Sequence, residues 1–101
     1  MNRKNIRDIH GIQLCDPVVA AEYINQALES ADSAVILMAI RNVVDAQEGG
    51  MAEVSKRAHL GRESMYKMLS ANGNPKLTSL TGLLHGLGLK LKVEAEKKRY
   101  R

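Results

Sequence analysis

With 101 residues, 45% of them hydrophobic, the chain has room for one compact domain with a real core and too little length for two ordinary domains. Three Tyr and no Phe or Trp leave Leu, Ile, Val, Met and Ala to build that core, a composition that favours helices over sheets. The net charge of +4 hides an asymmetry: residues 1–50 carry four basic against seven acidic side chains, and residues 51–101 carry eleven against four, so one acidic half and one basic half can face differently charged partners.

The basic start "MNRKNIRDIHG" lacks the apolar segment of a secretory signal, and the longest apolar run, residues 34–40, is far too short for a membrane span. A single cysteine, Cys15, suits a reducing cytoplasm and is expected as a small, partly buried residue. Residues 1–15 show no clear period and read as an N-terminal arm, with "HGIQLCD" extended. Asp16 then caps a helix and Pro17 suits its first position; Ala20, Tyr23, Ile24, Ala27 and Leu28 form its apolar stripe. "ESADSA" breaks this helix, and Asp32 or Ser33 caps the next, which runs to about Gln47 and is apolar nearly all round.

Gly49-Gly50 ends that element. Two short helices follow, over residues 51–59 and 62–70, and "ANGNP" marks a turn. Thr78 caps a further helix with Leu77, Leu80, Leu84 and Leu87 on one face, closed by Gly88. Gly82 and Gly86 lie inside it, each disfavoured by about 1 kcal/mol relative to Ala; either another helix approaches closely there or the two are simply tolerated. Met38, Met51, Met65 and Met68 fall at helical core positions.

In "GLKLKVEAE", Leu89, Leu91, Val93 and Ala95 alternate with Lys90, Lys92, Glu94 and Glu96, the period of a half-buried strand. A lone strand leaves its backbone unpaired. Either residues 11–15 or the same strand of a second copy must pair with it; the second copy is preferred because the apolar face also needs covering, which makes a homodimer. "KKRYR" reads as a basic tail.

Within residues 51–70, Val54, Ala58, Leu60, Met65 and Leu69 are spaced so that two short helices joined by a tight turn share one small core. This is the spacing of a DNA-binding helix-turn-helix, whose second helix lies in the major groove. Ser55 supplies the small residue at the middle of the first helix. Two positions depart from the pattern: His59 stands in the turn where Gly is common, and Gly61 stands at the cap where Ser or Thr is common. A left-handed backbone at His59 would carry strain.

The segment "GRESMYKMLSANGNPKLTSLTGLLHGLGLKLKVE" resembles the addiction-module antidote proteins, the HigA-like antitoxins with a Cro/phage-repressor-type helix-turn-helix. The shared features are the R-E-S-apolar-Y-K block, then G-N-P, then a helix closed by L-G-L before a strand. The upstream "DPVVAAEYINQALESADSAVILMAIRNVVDA" is similar too, so the resemblance spans roughly residues 16–95. It implies an all-α fold: a compact five-helix domain of the phage-repressor type over residues 16–95, its helix-turn-helix at residues 51–70, with a short C-terminal β-strand paired in a dimer. Residues 1–15 and 96–101 stand outside as arm and tail. It also implies a partner, a RelE/HigB-like mRNA-cleaving toxin, and autorepression of the shared promoter.

On a docked helix-turn-helix, Arg62 and Glu63 at the start of the second helix, with Lys67 one turn on, face base edges; Arg or Lys suits guanine and Glu accepts from cytosine. Ser64 and Tyr66 flank them, and Asn72, Asn74 and Lys76 follow in the turn, placed for phosphate contacts that fix register. The alternative is an ordinary solvated face with Glu63–Lys67 an i,i+4 pair. The acidic first half would attract a basic toxin. His10, His59, His85 and Cys15 lack metal-ligand spacing, no nucleophile–base pair or phosphate loop supports an enzyme, and no cofactor is expected. Competing readings are a phage-type transcriptional regulator without a toxin, and a toxin-binding scaffold that does not touch DNA.

Overall fold

The computed structural model describes residues 13–96. Its first long element, α1 (Pro17–Glu29), starts where local chemistry dictates: the Val18 N–H donates to Asp16 Oδ1 at 2.9 Å, and Pro17 fills the first helical position, where its missing N–H costs nothing. α2 (Ser33–Ala46) begins the same way, with the Ala34 N–H donating to Asp32 Oδ1 at 2.9 Å. Between them Ala31 adopts φ 57°, and Ser30 Oγ donates to the Ala27 carbonyl at 2.6 Å while accepting from the Asp32 N–H. The two helices pack on each other along Ala20, Ile24 and Ala27 of α1 and the much wider buried face of α2, Leu37, Ala39, Ile40, Val43 and Val44.

The apolar stripe of α1 is narrower than its sequence period suggests. Tyr23 and Leu28 are exposed, because they fall on opposite edges of the arc that meets α2. Tyr23 stays at the rim, where its hydroxyl accepts from Asn42 Nδ2 at 2.8 Å. Met38 is likewise outside the core, 62% exposed, since its neighbours Leu37, Ala39 and Ile40 take the inward directions of that turn.

Ahead of α1, Gln13 and Leu14 are helical rather than extended. Leu14 is buried in the core, and Gln47 Nε2 donates to its carbonyl at 3.3 Å and to that of Val43 at 3.0 Å. Cys15 is exposed, not partly buried, because it sits in the turn that redirects the chain into α1. The remainder of the expected arm, residues 1–12, and the tail from residue 97 lie outside the described residues.

α3 (Gly50–Ala58) is the hub of the second half, packing on α2, α4 (Arg62–Met68) and α5 (Leu77–Gly86). Gly49 and Gly50 turn the chain into it with φ of 83° and 51°. The contact with α5 is close at Gly86, the last residue of the helix, where an added Cβ would lie 3.3 Å from Ala58, whereas Gly82 has only an ordinary 3.8 Å contact to the Ala58 carbonyl and is simply tolerated. α5 starts two residues earlier than its composition suggests: Lys76, not Thr78, is the N-cap, and its side chain makes no capping bond. Its buried residues are Leu83 and Leu84, with Leu87 just beyond; Leu77, expected on the same face, is 67% exposed. The helix closes with the Leu89 N–H bonded to the Leu84 carbonyl at 2.8 Å and the Gly88 N–H to that of His85 at 2.9 Å, around a left-handed Gly88 (φ 81°).

The described residues are all helix and connection; residues 89–96, expected as a strand, form none. A strand needs a neighbouring backbone to bond, and the described residues offer no second one. Leu89 packs on the core, whereas Leu91 and Val93 are exposed, Val93 at 94%. No helix among the described residues is long and apolar enough to cross a membrane.

Candidate nucleic-acid interface

α3 and α4 are joined by residues 59–61. α3 ends as α5 does: the Leu60 N–H bonds the Ser55 carbonyl at 2.9 Å and the His59 N–H that of Lys56 at 3.1 Å, around a left-handed residue. Here that residue is His59, at φ 58°, so the strain foreseen from sequence is present. Gly61 is extended and leads into α4 without a side-chain cap. Ser55, 5% exposed, donates its hydroxyl to the Ala52 carbonyl at 2.9 Å and so is satisfied where α3 is buried.

α4 is seven residues long and is held by its inward side chains. Met65 is wholly buried, Met68 and Leu69 nearly so, and they join Val54 and Leu83 in the core. This anchoring leaves Arg62, Glu63, Ser64, Tyr66 and Lys67 all exposed. The helical period sorts them into two flanks and an outer edge. Ser64 and Lys67 lie on one flank, Arg62 and Tyr66 on the other, and Glu63 points outward between them.

On the first flank an open groove of about 620 Å³ runs between α4 and the loop into α5, lined by Ser64, Lys67, Asn72, Asn74 and Lys76 among others. Five of the eight expected site residues thus come together. Ser70 and Ser79 line it as well, and sequence reasoning passed over both. The loop is pinned by Gly73, whose N–H bonds the Ser70 carbonyl at 2.9 Å and whose α-carbon lies so near the Met68 carbonyl that a Cβ would overlap it. Lys67 and Lys76 therefore bring two positive charges to one groove whose remaining polar lining consists of amide and hydroxyl groups. Glu63 and Lys67 do not pair with each other, so the i,i+4 ion pair of an ordinary solvated face is missing.

On the second flank, Tyr66 faces α2: the Arg41 guanidinium lies 5.3 Å from its ring centroid. Arg41 also approaches Asp45 at 3.7 Å. Sequence reasoning missed Arg41 as a neighbour of α4, since it is 25 positions away and belongs to the acidic half. No three metal-ligating side chains gather among the described residues.

Comparison with known proteins agrees in direction. Over 72 residues the chain is 29% identical to an "Uncharacterized protein" of Haemophilus influenzae, an alignment covering 71% of this chain and 72% of the relative. No solved structure matches. The model of a family described as "Probable addiction module antidote protein" matches residues 10–95, which takes in every helix described above. The chain therefore belongs to the family of addiction-module antidote proteins, the antitoxin half of a toxin–antitoxin pair.

Proposed function

We propose that this antitoxin is a sequence-specific DNA-binding protein that represses its own promoter as a homodimer and neutralises a RelE/HigB-like, mRNA-cleaving toxin. The observation that carries the DNA reading is the state of α4. Its apolar side is buried, and its exposed side presents Arg62, Glu63 and Lys67 with no ion pair among the described residues, beside a groove that adds Lys76, Asn72 and Asn74. Such a helix offers base-reading groups along its edge and backbone-positioning groups on its flank. α3 braces it from behind, as the first helix of a helix-turn-helix does.

Residues 89–96 supply the dimer in this reading. Leu91 and Val93 alternate with lysines and stand exposed, the condition of a strand waiting for its mate. Two copies joined there would present two α4 helices to half-sites about one helical turn apart, roughly 34 Å. The toxin is assigned to the acidic surface of α1 and the start of α2, where Glu22, Glu29 and Asp32 are exposed, on the argument that charge complementarity sets partner choice and association rate.

The decisive experiment is fluorescence anisotropy with the DNA upstream of this gene and with scrambled DNA, at about 50 and 200 mM salt. Specific binding that survives the higher salt while scrambled binding collapses establishes a base-reading repressor, and R62A and K67A should then abolish the preference. Equal, salt-sensitive binding to both would reduce the basic half to a non-specific polyanion surface. No binding to either would leave a toxin-binding scaffold.

A further inference from the structure

We infer that Arg41, from the helix preceding the two-helix unit, is a DNA-backbone contact that serves the flank of α4 opposite the Lys76 groove. This rests on the DNA-binding reading above. A helix of about 10–12 Å diameter fills a major groove about 12 Å wide, so phosphates rise on both sides of it. On one side, with Lys67 given to the base edges, α4 has Lys76 and the polar loop of Asn72 and Asn74. On the other its own residues are Arg62, given to the base edges, and Tyr66; the cation that stands there is Arg41.

The surroundings of Arg41 fit a contact residue better than a structural one. Its side chain is 40% exposed and that of Asp45 55%, so the 3.7 Å pair neutralises no buried carboxylate, and exposed pairs of this kind contribute little to folding. Tyr66 makes no hydrogen bond through its hydroxyl among the described residues, unlike Tyr23, and the guanidinium of Arg41 is the cation over its ring. The guanidinium lies within cation–π range of the ring, and the Arg41 side chain stays 40% exposed, so it is open to solvent at the rim of the interface. Asp45 is then a competitor: it holds the same cation that a phosphate would take, and its own charge repels the backbone.

The test compares wild type, R41A, D45N and R62A against promoter and scrambled DNA between about 50 and 200 mM salt, with circular dichroism of each to confirm the helical fold. Removing one phosphate contact lowers the salt slope by about 0.9. R41A should therefore weaken binding to both DNAs alike, and its affinity should fall about threefold less than wild type across that fourfold rise in salt. D45N should bind both more tightly than wild type. An R41A protein with wild-type affinity and slope, in the same series where R62A loses its sequence preference, overturns the inference and leaves the DNA reading standing. If the wild-type protein binds neither DNA, both fall together.

Discussion

Gly86 sits so close to Ala58 that a Cβ added to it would lie 3.3 Å from the Ala58 Cβ and 3.3 Å from its backbone nitrogen. Neither atom can move aside by rotating a side chain, because both belong to the helix α3 itself. One turn earlier, Gly82 has more room: its nearest neighbour is the Ala58 carbonyl oxygen at 3.8 Å, an ordinary contact.

Two otherwise equal substitutions should therefore have opposite signs. Gly82→Ala gains helix propensity and should stabilise by about 0.5–1 kcal/mol. Gly86→Ala has the same kind of propensity term but must spread α3 from α5, and overpacking costs about 1–3 kcal/mol. It should be net destabilising by about 1 kcal/mol. Urea unfolding of the pair checks this, and equal midpoints would remove the close approach from the account.

His59→Gly should stabilise the protein by about 1 kcal/mol, because glycine adopts the left-handed backbone without the cost that a side chain carries there. His59 is exposed, so no packing is lost with it. His59→Ala keeps the strain and should show no such gain. A rise in denaturant midpoint for glycine alone, with the slope unchanged, identifies the backbone as the cause.

Gly73→Ala would place a methyl onto the Met68 carbonyl oxygen and close to the Ser70 carbonyl. The loop must then shift, at a cost of about 2 kcal/mol in stability. The same shift moves Asn72, Asn74 and Lys76 away from Lys67. DNA affinity should therefore fall severalfold even under conditions where the protein stays folded, which anisotropy at low temperature would detect.

The double substitution L91K/V93K tests the dimer. Both side chains are exposed in the single chain, so thermal stability of the monomer should change by less than about 0.5 kcal/mol. If residues 89–96 pair between copies, sedimentation should shift from dimer to monomer, and promoter affinity should drop with it. A dimer that survives the substitution would place the interface elsewhere.

What the sequence revealed and what it hid divide along a physical line. The starts of α1 and α2 were legible because Asp16, Pro17 and Asp32 act on backbone groups two residues away. His59 was legible for the same reason, since a left-handed turn is a local requirement. Periodicity found the helices but misjudged their edges: Tyr23, Leu28, Met38 and Leu77 fit an apolar stripe, yet all four stay exposed, since how far a partner helix covers a stripe is not written in its period. Leu83, wholly buried, went unremarked in a Leu-rich helix where several registers looked alike. The alternation of residues 89–96 describes a strand's faces and not its partner, and the partner decides whether a strand forms. Arg41 beside Tyr66 was out of reach, because only the packing of α2, α3 and α4 together brings them near each other.

The aliphatic core also has an optical consequence. With no tryptophan in the chain, ultraviolet fluorescence comes from three tyrosines, and the two described, Tyr23 and Tyr66, both lie at the surface. The core can therefore loosen without a direct change in the emission of its own side chains, so a fluorescence melt follows the rim of α1 and α2 and the flank of α4 instead. Tyr66, under Arg41 at the proposed interface, is in effect a built-in dye: its emission reports what happens to that face, with no label attached.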